Sequence, residues 1–322
     1  MSSLKNNFPP KPPFTEKSIN SQFGKVFIVT GSSSGVGKEL AGILYSHDAK
    51  VYITGRSIEK ADEAIADIKA AFPNSNGELI FLHLDLNDLP AVKKSAENFL
   101  SKETRLDVLW NNAGIMVPPQ GSKTKQGYEQ QLGVNCIAPF LFTQLLTPLL
   151  IDTAKTAAPD SVRVVWVSSS AISRAPLGGV NLNNMEYNVD TSAWTKYGIS
   201  KAGNYYHGTQ YAKVHRNDGI ISISLHPGYL KTGLQKHMPR WQRFAITMLQ
   251  YPPIYGAYTE LFAGLSPDVS LEKTGAWIQP WGRFDKQRAD LESGSKSKVE
   301  GGTGIAEEFW RWSEEQIKQY YK

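Results

Sequence analysis

The 322-residue sequence predicts a single α/β domain: a doubly wound parallel sheet of about seven strands with helices on both faces. Three observations predict it. Short, unbroken apolar runs, the pattern of strands buried on both faces, alternate with segments whose apolar residues recur at helical spacing. The first run turns through glycines directly into a helix. Neither an internal repeat nor a second composition regime breaks the alternation, so residues 22–322 read as one domain behind an extended arm, residues 1–21. In that arm Pro9, Pro10, Pro12 and Pro13 lie among polar residues, a composition expected to form neither a helix nor a core.

The stretch Val26–Leu40, VFIVTGSSSGVGKEL, organises the rest. Val26 to Val29 is a buried strand, and Val36, Leu40, Ile43 and Leu44 begin a helix. Between them Gly31, Ser33, Ser34, Gly35, Val36 and Gly37 place backbone N–H groups and a helix N-terminus at one spot, which suits a phosphate. Gly35 and Gly37 are expected to let a pyrophosphate approach without a Cβ in the way. The spacing TGxxxGxG differs from the common GxGxxG, and no GK[ST] closes a P-loop, so the turn reads as dinucleotide-binding and the fold as Rossmann-type.

A second strand, KVYIT at Lys50–Thr54, ends in Gly55-Arg56-Ser57, with Ser57 capping the next helix. A dinucleotide domain meets the adenosine ribose here, and an acidic residue would favour NAD. This chain has Arg56 and, one helical turn later, Lys60, which suit a 2′-phosphate and hence NADP. The third strand, LIFLHL at Leu79–Leu84, leads to Asp85 and Leu86. Asp85 is placed to accept from the adenine amino group or to cap the following turn. After a helix over Leu89–Leu100, the fourth strand, Val108–Trp110, ends in Asn111-Asn112-Ala113-Gly114. The fifth strand is Val162–Val167 and the sixth Ile220–His226, with Trp277–Pro280 as a last one.

Thr30–Gly37, Asp85, the NNAG at Asn111–Gly114, Asn135, the SSS at Ser168–Ser170, YGISK at Tyr197–Lys201 and PGYLKT at Pro227–Thr232 stand in the order of the short-chain dehydrogenase/reductase superfamily, which the chain resembles from about Gly24 to Thr232. A lone YxxxK is weak; the ordered set is specific. The interval from Ser169 to Tyr197 is longer than in compact members and is similar to the retinol-dehydrogenase and WW-domain-oxidoreductase branch, which generally prefers NADP.

The chemistry accounts for these residue types. A hydride moving between nicotinamide and a carbonyl carbon must be matched by a proton at the oxygen. Tyr197 is the candidate acid, and Lys201, four residues on, shares its helical face and is expected to lower the phenol's pKa. The resemblance implies that Lys201 also holds the nicotinamide ribose, that Ser169 rather than Ser168 hydrogen-bonds the substrate oxygen, and that Asn135 positions a water for proton relay. It further implies that Asn112, Ala113, Gly114, Pro227, Gly228, Leu230 and Thr232 contact the cofactor. As structural alternatives, Asn135 is a ligand at a helix kink and the serines are turn residues.

Composition narrows the remainder. The single cysteine, Cys136, excludes an intramolecular disulfide, and no histidine pair has metal-ligand spacing, so no metal is expected. The net charge of +5 is spread without like-charge blocks, which argues against nucleic acid. No stretch reads as long and apolar enough to span a bilayer and no secretory signal precedes the first strand, so the expectation is a cytoplasmic protein without stable membrane insertion. Residues 234–265, rich in aromatics around Pro252 and Pro253, read either as an apolar lid or as core packing, and residues 305–320 as a terminal amphipathic helix. The expected function is NADP(H)-dependent interconversion of a hydrophobic carbonyl compound and its alcohol. A non-redox enzyme on the same scaffold (epimerase, dehydratase or cyclase) and a non-catalytic NADP-binding module are the alternatives, and homo-oligomerisation is left open.

Overall fold

The computed structural model describes residues 9–231 and 250–321. Strands β1 (Val26–Val29), β2 (Lys50–Gly55), β3 (Glu78–His83), β4 (Val108–Asn111), β5 (Arg163–Val167), β6 (Ile221–Leu225), β7 (Trp277–Gln279) and β8 (Arg283–Asp285) form one sheet. Their order among the described residues is β3-β2-β1-β4-β5-β6-β7-β8. All pairs are parallel except β7 with β8. The four central strands are buried along their whole length, which is why β1, β4 and β5 read as near-continuous apolar runs; β6, ISISL, alternates, and its buried Ser222 bonds Trp166 Nε1 and the Gly208 carbonyl. Three residues, Arg283–Asp285, make up β8, and they carry no such run.

The helices are α1 (Gly35–Ser46), α2 (Ile58–Ala71), α3 (Leu89–Leu100), α4 (Gln130–Ala154), α5 (Ala193–Val214), α6 (Pro253–Leu265), α7 (Ala289–Ser295) and α8 (Ile305–Tyr321). One core joins α1, α2 and α6 to one face of the sheet through Leu40, Leu44, Ala61, Ile68, Leu261 and Phe262. The other joins α3, α4, α5 and α8 to the opposite face through Phe99, Phe140, Leu146, Tyr206, Phe309 and Ile317. His207 of α5 illustrates the second: its ring stacks 4.6 Å from Phe140 and 4.8 Å from Phe309, and Nε2 pairs with Ser313 Oγ of α8 at 2.9 Å.

The chain builds outward from β1 to β3 and then returns to place β4 on the other side of β1. A crevice therefore opens beyond the carboxyl ends of β1 and β4, the place where such sheets hold ligands.

Two expectations need correction. The arm is not free of structure. Thr15 caps a short 3₁₀ turn at Glu16–Ser18, and Phe14 is buried, edge-on to Phe262 of α6 at 6.0 Å. One aromatic beside prolines suffices when the domain leaves apolar surface next to it. Second, α4 is by length and composition apolar enough to cross a membrane; it lies inside the domain instead, 72% buried over its most apolar window. The described part of the stretch read either as a lid or as core packing contains the helix α6, whose Leu261 and Phe262 are core residues. Residues 234–249 lie outside the described residues.

Candidate active site

The crevice is shaped by how β1 and β4 end. Thr30 follows β1; its hydroxyl donates to the Trp110 carbonyl at 3.1 Å and accepts from the Ala113 N–H at 2.9 Å. Asn112 Nδ2 donates to the Thr30 carbonyl at 2.6 Å, so the two strand exits are tied across the gap. Gly31 and Gly35 have φ of +69° and +59°, conformations that L side chains rarely adopt. Gly37 is also required by packing. A Cβ there would lie 2.6 Å from Asn112 Nδ2 and 3.0 Å from the Gly31 carbonyl, so this glycine lets the first turn of α1 pack onto the exits of β1 and β4. Ser32 is fully buried and bridges Val29 and Thr54, whereas Ser33 is half-buried and Ser34 exposed. Ser34 caps α1 without a side-chain bond to it.

A Cβ on Gly55, at the end of β2, would be 3.4 Å from Ser33 Oγ, so the second strand's end abuts the glycine turn. Arg56 and Lys60 are exposed there, with no ion pair to either among the described residues. Asp85 is half-buried and accepts from the Asn87 N–H at 3.0 Å, as a turn cap does; Leu86 is buried.

On the β4 side, Asn135 sits in a π-helical turn, Gly133–Ile137, within α4. Such bulges are frequent at functional sites. Its amide oxygen accepts from Ile115 N–H at 2.8 Å, and Nδ2 donates to the Ile115 carbonyl at 3.0 Å and to Ser200 Oγ at 2.9 Å. A Cβ on Gly114 would meet Asn135 Oδ1 at 3.2 Å and Lys201 Nζ at 3.4 Å, so all three converge. Ser168 is turned inward, donating to the Lys201 carbonyl at 2.6 Å, and is committed to holding α5. Ser169 instead accepts from Ala171 N–H at 3.1 Å, and its hydroxyl favours the ionised form of the Tyr197 phenol.

Tyr197 and Lys201 come together as their spacing predicts. Lys201 is 4% exposed, donates from Nζ to the Val167 carbonyl at 2.9 Å, and lies 5.7 Å from the centre of the Tyr197 ring. Burial lowers its pKa to about 8. Burial also pushes the Tyr197 phenol up to about 12, with the Ser169 hydroxyl as the opposing influence. Burial and Ser169 thus set the shift of the phenol, while the Lys201 ammonium is held by a strand-end carbonyl beside the ring.

Past β6, Gly228 has φ of +106°, and Pro227 is half-buried. The Leu230 side chain is buried against Gly256 of α6, and the backbone on either side of it pairs with Tyr251, whose N–H donates to the Tyr229 carbonyl at 2.8 Å and whose carbonyl accepts from the Lys231 N–H at 3.0 Å. Thr232 lies outside the described residues. Burial holds His207 and His226 neutral, with pKa lowered to about 3, and no cluster of potential metal ligands occurs among the described residues.

These features recur in a known group of proteins. A family model described as short chain dehydrogenase matches residues 25–243. The chain belongs to the short chain dehydrogenase family. It is an enzyme of the oxidoreductase class that family comprises. A short-chain dehydrogenase/reductase of Phomopsis amygdali is 51% identical over 99% of this chain and 98% of its own length. The short-chain dehydrogenase/reductase bet4 of Neocamarosporium betae is 48% identical over 97% of this chain and 92% of its own. Among solved structures, an uncharacterized protein from Mycobacterium Paratuberculosis matches with a TM-score of 0.70 at 25% identity, covering 95% of this chain and 97% of that one. The NADPH-bound carbonyl reductase from chicken fatty liver shares the fold, with a TM-score of 0.61 at 21% identity over 84% of this chain and 100% of its own.

The residues present fit a dinucleotide. Positive-φ glycines, a helix N-terminus without a side-chain bond from its cap and exposed cations line one edge. Two features of this short chain dehydrogenase were not read from its sequence. Arg288 donates to the carbonyls of Ile172, Ala175 and Pro176 and pairs with Asp290, which pins the segment following Ser169. The insertion also encloses a cavity of about 150 Å³, with Thr195 and Ile199 on the side of α5 away from Tyr197 and Lys201. The other is Glu260 of α6, taken up below; a single carboxylate inside the apolar run of α6 was the available signal.

Proposed function

We propose that the chain is an NADP(H)-dependent oxidoreductase interconverting a ketone or aldehyde and an alcohol on a hydrophobic small molecule, with Tyr197 moving the proton. The observation that carries this reading is the convergence of Lys201 with Tyr197, 5.7 Å from its ring centre, and with Asn135 about Gly114, at the carboxyl edge of β5 next to the crevice.

Gly31, Ser33, Ser34, Gly35, Val36 and Gly37 would hold the pyrophosphate through backbone N–H groups and the positive end of α1. Arg56 and Lys60 would pair with the 2′-phosphate, and Asp85 and Leu86 would bound the adenine. Asn112, Ala113, Gly114, Pro227, Gly228, Leu230 and Thr232 would line the nicotinamide half. When bound, the nicotinamide supplies or accepts the hydride.

The remaining work falls to this chain's own side chains. In reduction, Ser169 and Tyr197 both hydrogen-bond the carbonyl oxygen, orienting the carbon, and Tyr197 Oη delivers its proton as negative charge develops there. Lys201 stabilises the phenolate that remains, and Asn135 orients water that restores the proton. Trp194, its ring 6.4 Å from that of Tyr197, and exposed Tyr229 offer apolar surface at this edge for a hydrophobic substrate.

A panel of ketones, aldehydes and alcohols, followed at the nicotinamide absorbance with NADPH or NADP⁺, tests the proposal. Turnover of at least one apolar carbonyl–alcohol pair is expected. Product formation with no change in nicotinamide absorbance would overturn it in favour of a non-redox reaction.

A further inference from the structure

Glu260 is 0% exposed, and neither carboxylate oxygen has a hydrogen-bond partner among the described residues. A buried unpartnered carboxylate is costly. Its place in the fold is well defined. Gly256, Glu260 and Gly264 stand four residues apart and form one stripe of α6. Gly256 faces Leu230 and Val36, at the cofactor end of the crevice. Gly264 faces the Trp110 ring, whose Nε1 donates to the Glu260 carbonyl at 2.9 Å. Arg163, the first residue of β5, binds the carbonyls of Ala263 and Ser266, so α6 runs antiparallel to β5. Helical side chains lean towards the helix N-terminus, so the Glu260 carboxyl leans towards the carboxyl end of β5. There the Val167 carbonyl receives the Lys201 ammonium from the other side of the sheet.

We propose that Glu260 is a positioning residue for catalysis: its carboxyl, reaching the strand ends from beneath the sheet, holds Lys201 in the ammonium form that Tyr197 needs. The surrounding groups leave it this role. Arg163 is bound at the far end of α6, and buried His226, at the end of β6, stays neutral. On the α4 side the Cys136 thiol is buried and pushed up, so it is uncharged at neutral pH. Among the described residues Lys201 is then the one charge acting on Glu260, and Glu260 acts back on Lys201. Burial raises the Glu260 carboxyl to about 8 as it lowers Lys201 to about 8, so the two groups titrate together over one range.

The proposal rests on the proposed role of Lys201, so its test has one readout that needs no turnover. The infrared band of the protonated Glu260 carboxyl, assigned by its loss in Glu260→Gln, is followed against pH in wild type and in Lys201→Met. Removal of the ammonium should carry the band to higher pH; identical titrations in the two proteins would overturn the proposal whatever the activity. In carbonyl reduction, the alkaline limb of kcat/KM should move down by about 1 pH unit in Glu260→Gln, because the charge favouring the ammonium is gone. Glu260→Asp should restore most of it, and NADPH affinity should stay unchanged in both. A limb that stays in place in Glu260→Gln would also overturn the proposal. If neither variant folds, the carboxyl titration of wild-type protein labelled with ¹³C at glutamate decides: a buried glutamate titrating near neutrality is expected, and none refutes the proposal.

Discussion

Gly37→Ala separates two explanations of the glycine turn. If the glycine only makes room for a pyrophosphate, the cofactor-free protein should not notice a methyl group. The structure says otherwise. The new Cβ would sit 2.6 Å from Asn112 Nδ2 and 3.0 Å from Ser32 Cα, far inside ordinary contact. The Asn112 amide can retreat only by giving up its bond to the Thr30 carbonyl, and Ser32 is backbone. Overpacking of this kind costs about 1–3 kcal/mol, and the lost hydrogen bond about 0.5–1.5 kcal/mol more. Spread over a domain of this size, that lowers Tm by roughly 2–7 °C. Thermal unfolding of the cofactor-free variant, followed by circular dichroism, measures it, with NADPH titration alongside. An unchanged Tm with weakened NADPH binding would refute the packing argument and return the glycine to a purely ligand-contacting role.

Two further predictions address individual roles. Arg56→Asp should weaken NADPH binding by about tenfold or more, equivalent to about 1.4 kcal/mol, while NADH binding changes little; equal dissociation constants of the unmodified protein for both cofactors would remove the basis for NADP preference. Ser169→Ala should lower kcat by about 10²–10³, the cost of a lost donor at a developing oxyanion. By contrast, Ser168→Ala should cost about 1 kcal/mol of stability, through its bond to the Lys201 carbonyl, and should affect turnover less. Kinetics and melting curves on the two variants would contradict the assignment if the pattern were reversed.

Most of the fold was legible because its signals are local. The apolar runs of β1, β4 and β5 come from burial on both faces, and the turn after β1 announces itself through its glycines. The short antiparallel β8 left no such trace, and Phe14 is a single aromatic whose docking depends on surface that α6 supplies. The site divides along the same line. Tyr197 and Lys201 lie one helical turn apart, so their meeting follows from the periodicity of α5. Which serine faces Tyr197 depends on how the chain turns after β5, where Ser168 points to α5 and Ser169 to the phenol. The protonation balance was beyond sequence reasoning altogether. Burial of Tyr197, the Val167 carbonyl that takes up Lys201 and the carboxyl of Glu260 are long-range facts, contributed by elements far apart in the chain. Arg288, which secures the segment after Ser169 from more than a hundred residues away, belongs with them.

The most direct test of the account is Tyr197→Phe on a substrate that the wild type turns over. The substitution keeps the ring and its packing and removes the one group proposed to move the proton. NADPH affinity and Tm should stay close to wild type, since the glycine turn and Arg56 are untouched. Turnover should fall by about 10²–10⁴-fold, the contribution of one positioned acid or base. Retention of most of the wild-type kcat by a folded, cofactor-binding Tyr197→Phe protein would place the acid elsewhere and contradict the mechanism.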